Sequence, residues 1–518
     1  MTAYGKEENP GKNNVSANLF VFYLSIYLLT ASGLNILQTD VSTSRYEITK
    51  AVVERFDLAI SPGTGLGIQG VDGREYTQFG IGSVLVVLPF FIFGKLTGIP
   101  PENLLSIINQ FLGAASAVVV YLFALALGYS KRSSMYASIC YGLGTFAWFY
   151  SKDPGDHALE TFTVLSAAYF MYRYCGTKKK SYLSISAAFT GLAFITRPTS
   201  LLIVPPLMIL LFLSGSRRII LRESVLPIMR DSARFFLMML PFVALFFWYN
   251  YLRFGSIFET GYTIMAKQHN MDLFRNVPFL TGLSGLLVSP GKGFFYYSPV
   301  AVLFFFSVPS FMKKNPVPAS CFIMVILAYL FFYSNYVFWH GVNGWGPRFI
   351  IVTTPFMLIS VAALFDSDRW KRSSLIRGAV ASLFAMSIMI QVAAVSVHPE
   401  RYLAYLLFEK KIRFMSIQGR GVPAINGPPA ATNFDWRLSP ITAQIRFMFE
   451  IGNELTTSSG HTSADVYGKV TLPLWLKVYD FWWLYKYYLE QKTAGFLAAA
   501  ALLLSALASG LRLLKQGP

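Results

Sequence analysis

Lys152, Asp153, Asp156 and His157 fall within six positions of the stretch YSKDPGDHALETF (residues 150–162), which has long apolar runs on either side. Two carboxylates and an imidazole so placed suit a divalent metal, electrostatic support for a bound substrate, or a hydrated loop with no ligand. No further acidic partner completes a metal set, so a metal stays open and no cofactor is predicted. Asp40 is a second candidate: it follows an apolar run directly and opens a stretch whose Tyr46, Ile48, Val52, Val53 and Phe56 form an apolar side opposite Glu47, Lys50, Glu54 and Arg55. A carboxylate fixed at a helix end beside a membrane can take a proton from a hydroxyl as general base. The bland alternative is a cap for a surface helix.

Three cations complete the set. Arg197, in AFITRPTS, stands at the turn of a hairpin between Ser181 and Ser216. An arginine near an apolar zone is costly unless paired, and guanidinium is the preferred bidentate partner of phosphate; snorkelling to lipid head groups is the alternative. Arg348 in GWGPRF and Lys292 in SPGKGFFYYSP repeat this logic. Several cations converging on one face suggest an anionic, phosphorylated lipid, although a single lysine at a span end is usually a membrane anchor. Tyr296, Tyr297, Trp339 and Trp345 suit either stacking on a sugar or an interfacial aromatic belt.

The elements that position these residues are membrane spans. Of 518 residues, 54% are hydrophobic, 14% are charged and 46 are phenylalanine, and the mean hydropathy is +0.48. These values exclude a soluble globular protein and predict an all-α polytopic bundle. Spans are expected near 17–37, 105–127, 134–150, 158–175, 182–196, 198–214, 234–252, 294–312, 318–336, 347–365, 374–396 and 493–512, about twelve in all. The first apolar run is long enough to span and lacks a cleavage site, so no removable signal peptide is expected. Cys140, Cys175 and Cys321 sit in or beside apolar segments with neither disulfide nor zinc spacing.

Sidedness follows from charge. One alternating set of loops and both tails hold 21 Lys and Arg against 6 Asp and Glu, while the other segments hold 23 against 20. The basic set belongs in the cytoplasm, which leaves both termini inside and every candidate residue outside. The net charge of +18 is thus a topology signal and no sign of nucleic acid. This arrangement requires Phe79 to Phe93, with Gly80, Gly82 and Pro89, to be juxtamembrane rather than spanning. The expected organisation is a catalytic bundle over 1–396, including a first outer loop at 38–103, then an outer loop region at 397–492 and a last helix and tail at 493–518.

With these residues assembled, the chain resembles the GT-C glycosyltransferases, multi-pass enzymes that use polyprenyl-phosphate sugars. The likeness is to bacterial members related to protein O-mannosyltransferases and lipid A aminoarabinose transferases. It rests on Asp40 after the first span, RYEITKAVVERFD, GREYTQFGIGSVLVVLPFFIFG, YSKDPGDHALETF and GLAFITRPTS over residues 17–215. It resumes more weakly at NYLRFGSIFETGY, SPGKGFFYYSP and GWGPRFIIVTTPFML. The resemblance implies a GT-C-like bundle with juxtamembrane helices in the first outer loop, Asp40 as base, and Arg197 on the donor phosphate in place of a lysine common there. Arg348 is implied as a second contact. The first loop departs from the family in lacking an Asp-x-Asp or Glu-x-Asp pair and in carrying Gln78 where related loops often have Lys or Glu.

The expected activity is transfer, with inversion, of a sugar from a polyprenyl-phosphate donor to an acceptor hydroxyl at the outer face of a bacterial or archaeal inner membrane. Asp40 deprotonates the acceptor, and Arg197, with Arg348 or Lys292, stabilises the departing lipid phosphate. Glu47, Arg74, Tyr76, Asp153, Asp156, His157, Tyr297, Trp339 and His340 are candidate substrate contacts. Expected partners are the lipid-linked donor, membrane lipids and an acceptor that is a lipid-linked glycan, a glycolipid or a protein. A transporter or flippase is the rival reading. It would place polar groups near mid-bilayer and often show paired halves. A noncatalytic scaffold that binds lipid-linked glycan is a third.

Overall fold

The computed structural model describes residues 15–33, 40–62, 67–215, 225–274, 277–341, 344–397, 430–456, 479–490 and 493–516, with 401, 402, 405, 406 and 410. The chain opens with α1 (Val15–Leu29) and α2 (Asp40–Arg55), followed by an antiparallel hairpin that pairs Ile68 with Tyr76 and Gln69 with Glu75. Then come α3 (Gly82–Thr97), α4 (Pro101–Leu105), α5 (Ile108–Ala126), α6 (Lys131–Gly144), α7 (Ala147–Lys152), α8 (His157–Thr177), α9 (Lys180–Thr196) and α10 (Val204–Gly215). The middle of the chain forms α11 (Val225–Phe254), α12 (Gly261–Gln268), α13 (Phe279–Val288), α14 (Phe294–Tyr297), α15 (Leu303–Lys314), α16 (Pro316–Ser334), α17 (Thr353–Phe365), α18 (Asp368–Arg372) and α19 (Ser374–Ser396). The last helices are α20 (Pro440–Thr456), α21 (Trp482–Glu490) and α22 (Ala494–Gln516).

Helix covers most of the stretches where hydropathy places a span; the first ends at Leu29, short of the expected residue 37, and residues 34–37 lie outside the described ones. Among the described residues, five helical stretches are long and apolar enough to cross a membrane: Pro101–Ala126, Leu226–Phe254, Pro316–Ser334, Ser374–Ser396 and Ala494–Gln516. The bundle wears apolar residues outside. On α11, Phe236, Leu237, Leu240 and Trp248 are exposed, as are Leu497, Leu504, Leu507, Leu511 and Leu514 on α22. So much exposed apolar side chain suits lipid rather than water. Inside, small residues let helices approach and hydroxyls bond across them. Gly113, Ala114 and Ala117 line the buried face of α5. Ser138 Oγ on α6 donates to the Ala117 carbonyl at 2.7 Å, and Ser186 Oγ on α9 donates to the Ala167 carbonyl on α8 at 2.8 Å.

Three helices begin the same way. Short 3-10 turns at Pro198–Ile203, Pro299–Val302 and Arg348–Ile350 lead into α10, α15 and α17. In each a proline ends the preceding segment, because the residue before it is pushed out of the helical region. Arg197 is accordingly extended at φ −145°, ψ 117°.

Two local expectations change. On α2 the buried face carries Ser42, Ser44, Arg45, Ile48 and Thr49, while Val52 and Val53 are half-buried. Phe56, expected on the apolar side, is 95% exposed. It lies past the helix end with φ +52°, so the helical period does not reach it. The second change is α13, a short apolar helix in what hydropathy reads as an outer loop. It packs on α16, and Gly282 and Gly285 make room for the Ser334 backbone and the Trp339 ring.

Candidate active site

The site is built around the turn between α7 and α8. Pro154 keeps Asp153 extended, and the Asp153 carboxylate accepts the Gly155 N–H at 2.7 Å, a side-chain turn that tightens the loop. Asn109 on α5 anchors it by donating to the Gly155 carbonyl at 2.8 Å. The turn leaves Asp156 at the start of α8 and His157 and Glu160 in its first turn, where the helix dipole favours negative charge.

Each of these groups meets a cation from elsewhere. Asp156 pairs with Arg45 of α2, both side chains being 7% exposed. Arg197 Nη1 donates to Glu160 Oε2 at 3.1 Å and to His157 Nδ1 at 3.0 Å. Arginine only donates, so His157 Nδ1 accepts and the neutral ring carries its proton on Nε2. Ser200, in the 3-10 turn after Arg197, donates to the other Glu160 oxygen at 3.2 Å. Phe349 gathers the guanidinium groups: Arg197 lies 5.3 Å and Arg348 5.0 Å from its ring centre. Tyr333 stacks on the same ring at 5.1 Å.

Lys292 and His340 complete the far wall. The turn before α14 is held by Ser289 Oγ, which accepts the Lys292 N–H at 3.0 Å, and by the Gly293 N–H donating to the Ser289 carbonyl at 2.6 Å. Lys292 Nζ donates to the Gly344 carbonyl of the loop before Arg348. Burial, followed by the Arg348 charge, pushes the Lys292 ammonium down to about 7. Burial, then Lys292 and Arg348, pushes His340 down to about 3. Asp153 moves the other way: burial raises its carboxyl, and the Gly155 N–H, Arg348 and Arg45 oppose the rise.

Three buried N–H donors, Arg45 Nε, Arg348 Nε and Trp345 Nε1, have no hydrogen-bond partner among the described residues. Buried polar atoms are nearly always satisfied, and an anion would satisfy these. Among the described residues no group of three or more His, Cys, Asp or Glu side chains is arranged to hold a metal.

Asp153, Asp156, His157, Arg197, Lys292, His340 and Arg348 are thus brought together. The side chain of Asp40 lies outside the described residues; its backbone begins α2, five residues before Arg45. Tyr297 stands behind the Lys292 turn, donating to the Gly291 carbonyl at 2.6 Å and packing edge-on against Trp345 at 4.8 Å. Trp339 fills the space over Gly285 and Phe434. Three expected contacts have other partners. Glu47 accepts from Ser61 Oγ at 2.7 Å; Arg74 bridges Asp57 and Asp72 at 2.7 and 2.6 Å; Tyr76 donates to Asp72 at 2.8 Å. Arg45 and Glu160 were not anticipated. Glu160 has a signal, an acid inside an apolar run and three and four residues after His157 and Asp156, on one helix face.

Comparison with curated proteins finds no sequence match. Among solved structures, ArnT from Cupriavidus metallidurans in the apo state aligns at 13% identity over 96% of this chain and 74% of that one, with a TM-score of 0.46. The Archaeoglobus fulgidus oligosaccharyltransferase with Zn and sulfate aligns at 15% identity over 76% of this chain and 57% of that one, with a TM-score of 0.48. The arabinosyltransferase EmbB from Mycobacterium smegmatis aligns at 13% identity over 99% of this chain and 42% of that one, with a TM-score of 0.44. This chain therefore spans about three-quarters of ArnT and less than two thirds of the other two. The family model of the Alg9-like mannosyltransferases matches residues 70–416, a stretch that takes in Arg74, the 152–157 turn, Arg197, Lys292 and Arg348. A polytopic chain with that match belongs to the Alg9-like mannosyltransferase family and is a membrane glycosyltransferase of the GT-C type.

Proposed function

We propose that this glycosyltransferase moves a sugar from a polyprenyl-phosphate donor to an acceptor hydroxyl at the extracytoplasmic face, with inversion. The observation that carries the reading is the gathering of Arg197 and Arg348 on the Phe349 ring with Arg45 on Asp156 of the same turn, a set of cations suited to a phosphate, in which Arg45 Nε and Arg348 Nε have no hydrogen-bond partner among the described residues. An apolar groove of about 520 Å³ lined by Leu201, Val204, Pro205, Phe236, Met239, Leu240 and Val243 starts four residues beyond Arg197. Its position and lining suit the lipid chain of such a donor.

In this reading Asp40 removes the acceptor proton, and the hydroxyl oxygen attacks the anomeric carbon opposite the lipid phosphate. The anomeric C–O bond breaks with its electron pair on the phosphate, where Arg197, Arg348 and Lys292 stabilise the charge and no protonation is needed. Arg45 pairs with Asp156 beside them. Twelve crossings, cytoplasmic termini, a 1–396 catalytic bundle and an acceptor-shaping 397–492 region fit the distribution of basic loops. The acceptor is a lipid-linked glycan, a glycolipid or a protein, and residues 421–429 of its proposed binding region lie outside the described residues.

The test is purified protein with labelled polyprenyl-phosphate sugars, scored for release of lipid phosphate and for the anomeric configuration of the product. Asp40→Asn should slow transfer about 100-fold or more, as loss of a general base does. Wild-type turnover in that variant would remove Asp40 from the mechanism, and a product of retained configuration would remove the single displacement.

A further inference from the structure

We propose that the buried ion pair between Lys152 and Asp480 is a positioning device. It fixes the turn that carries Asp153, Asp156 and His157, together with the end of α1 that leads to Asp40. This rests on reading the cluster as the transfer site, and the pair itself touches no substrate.

Lys152 immediately precedes Asp153. Its ammonium donates to Asp480 Oδ2 at 2.8 Å, to the Asp480 carbonyl at 2.8 Å and to the Val395 carbonyl at 2.7 Å, which employs all three of its protons. The Asp480 carboxylate accepts from Ser32 Oγ on both oxygens at 2.8 Å and from the Gly33 N–H at 2.9 Å. The Asp480 N–H donates to the Ser396 carbonyl at 2.8 Å. Four chain segments therefore meet at one charge pair, with side chains 5% and 1% exposed. The next residues extend the grip: Trp482 and Trp483 donate their indole N–H groups to the Leu28 and Leu29 carbonyls at 2.8 and 3.0 Å. Both belong to the last turn of α1, where carbonyls lack the usual intrahelical bond, although Leu28 also accepts the Ala31 N–H at 3.2 Å.

Stability alone is a poor reason for such a pair. Withdrawing two charges from water costs about as much as their attraction returns, and well-packed apolar residues are often as stable in the same place. What a fully hydrogen-bonded pair adds is a fixed direction. Direction has consequences here because Asp153 is the next residue and Asp40 lies seven residues beyond Gly33. A misplacement of about 1 Å in a reaction site costs about 100-fold in rate.

The experiment compares the full-length protein in nanodiscs with Lys152→Met/Asp480→Asn, using hydrogen exchange by mass spectrometry, thermal unfolding and turnover. The double variant removes both charges together, so its unfolding temperature should fall less than that of either single variant, the remaining loss coming from the Val395 and Asp480 carbonyls that Lys152 no longer meets. Exchange of the amides of 40–47 and 153–160 should quicken about tenfold or more. Turnover at saturating donor should fall about 100-fold with donor KM changed less than about twofold. Wild-type exchange in both segments of a stable double variant overturns the proposal. If that variant does not fold, Ser32→Ala leaves the ion pair whole and should quicken 40–47 while 153–160 stays as in wild type; unchanged exchange at 40–47 is then the overturning result. Exchange needs no substrate, so absence of transferase activity in the wild type counts against the proposed function and leaves this outcome readable.

Discussion

Donor binding should weaken as pH rises through neutrality, and Lys292 should be the reason. Its ammonium is 3% exposed and pushed down to about 7 by burial and then by Arg348. A sugar joined through a phosphodiester keeps a constant negative charge in this range, so a contact with Lys292 needs the protonated amine. With a value about 7 in the free enzyme, the protonated share falls from about 0.9 near pH 6 to about 0.1 near pH 8. Affinity should therefore drop about tenfold across that interval, equivalent to about 1.4 kcal/mol. The neighbouring imidazole does not interfere, because His340, at about 3, stays neutral. Asp153, whose carboxyl is raised by burial, can add to the slope, and Lys292→Arg separates the two because its charge is fixed. Titration calorimetry of full-length protein with a polyprenyl-phosphate sugar, in buffers of different ionisation enthalpy, should detect uptake of nearly one proton near pH 8. Affinity that is flat from about pH 6 to about pH 8, or a slope undiminished in Lys292→Arg, refutes the reasoning. For the unliganded protein the sign reverses: the unfolded chain binds the extra proton, so this group makes stability rise with pH between about 7 and about 10.4.

Other outcomes follow from the same geometry. Glu160→Gln keeps an oxygen for Ser200 but strips the buried counter-charge from Arg197, so thermal unfolding should register a loss of about 3 kcal/mol or more; a loss under about 1 would mean that solvent already screens the pair. Arg74→Ala should change stability by less than about 1 kcal/mol, because Arg74 is half-exposed, and should leave donor affinity unaltered; weaker donor binding would bring the hairpin into the site. Gly282→Val would drive a side chain into the Ser334 backbone and should cost about 1–3 kcal/mol, read as a lowered unfolding temperature.

Much of this architecture is legible without coordinates because lipid imposes a simple rule on sequence: apolar residues must run for the length of a helix. Hydropathy finds α8, α9 and α19 within two residues of their observed ends. Proline does similar work at the site, where Pro198 makes Arg197 a helix terminus by local sterics. The period of α2 holds for Tyr46, Ile48, Val52 and Val53, which pack in apolar clusters, and fails at Phe56, which lies past the helix end; Arg45, read as neither side, is buried because it meets Asp156. For α13 no length signal exists, since ten residues between Pro278 and Ser289-Pro290 read as loop.

The sequence by itself determined the solvent, the helical class, the positions of many of the helices and the kinds of residue available for chemistry. Those follow from local burial of backbone polar groups and from charge beside a membrane, which each segment meets alone. Tertiary structure decided the pairings: Arg45 with Asp156, Arg197 with Glu160 and His157, and Lys152 with Asp480 across 328 positions. Which cation neutralises which acid depends on how helices distant in the chain pack, and a Coulomb interaction of a few ångströms leaves no periodicity along the chain from which to read it.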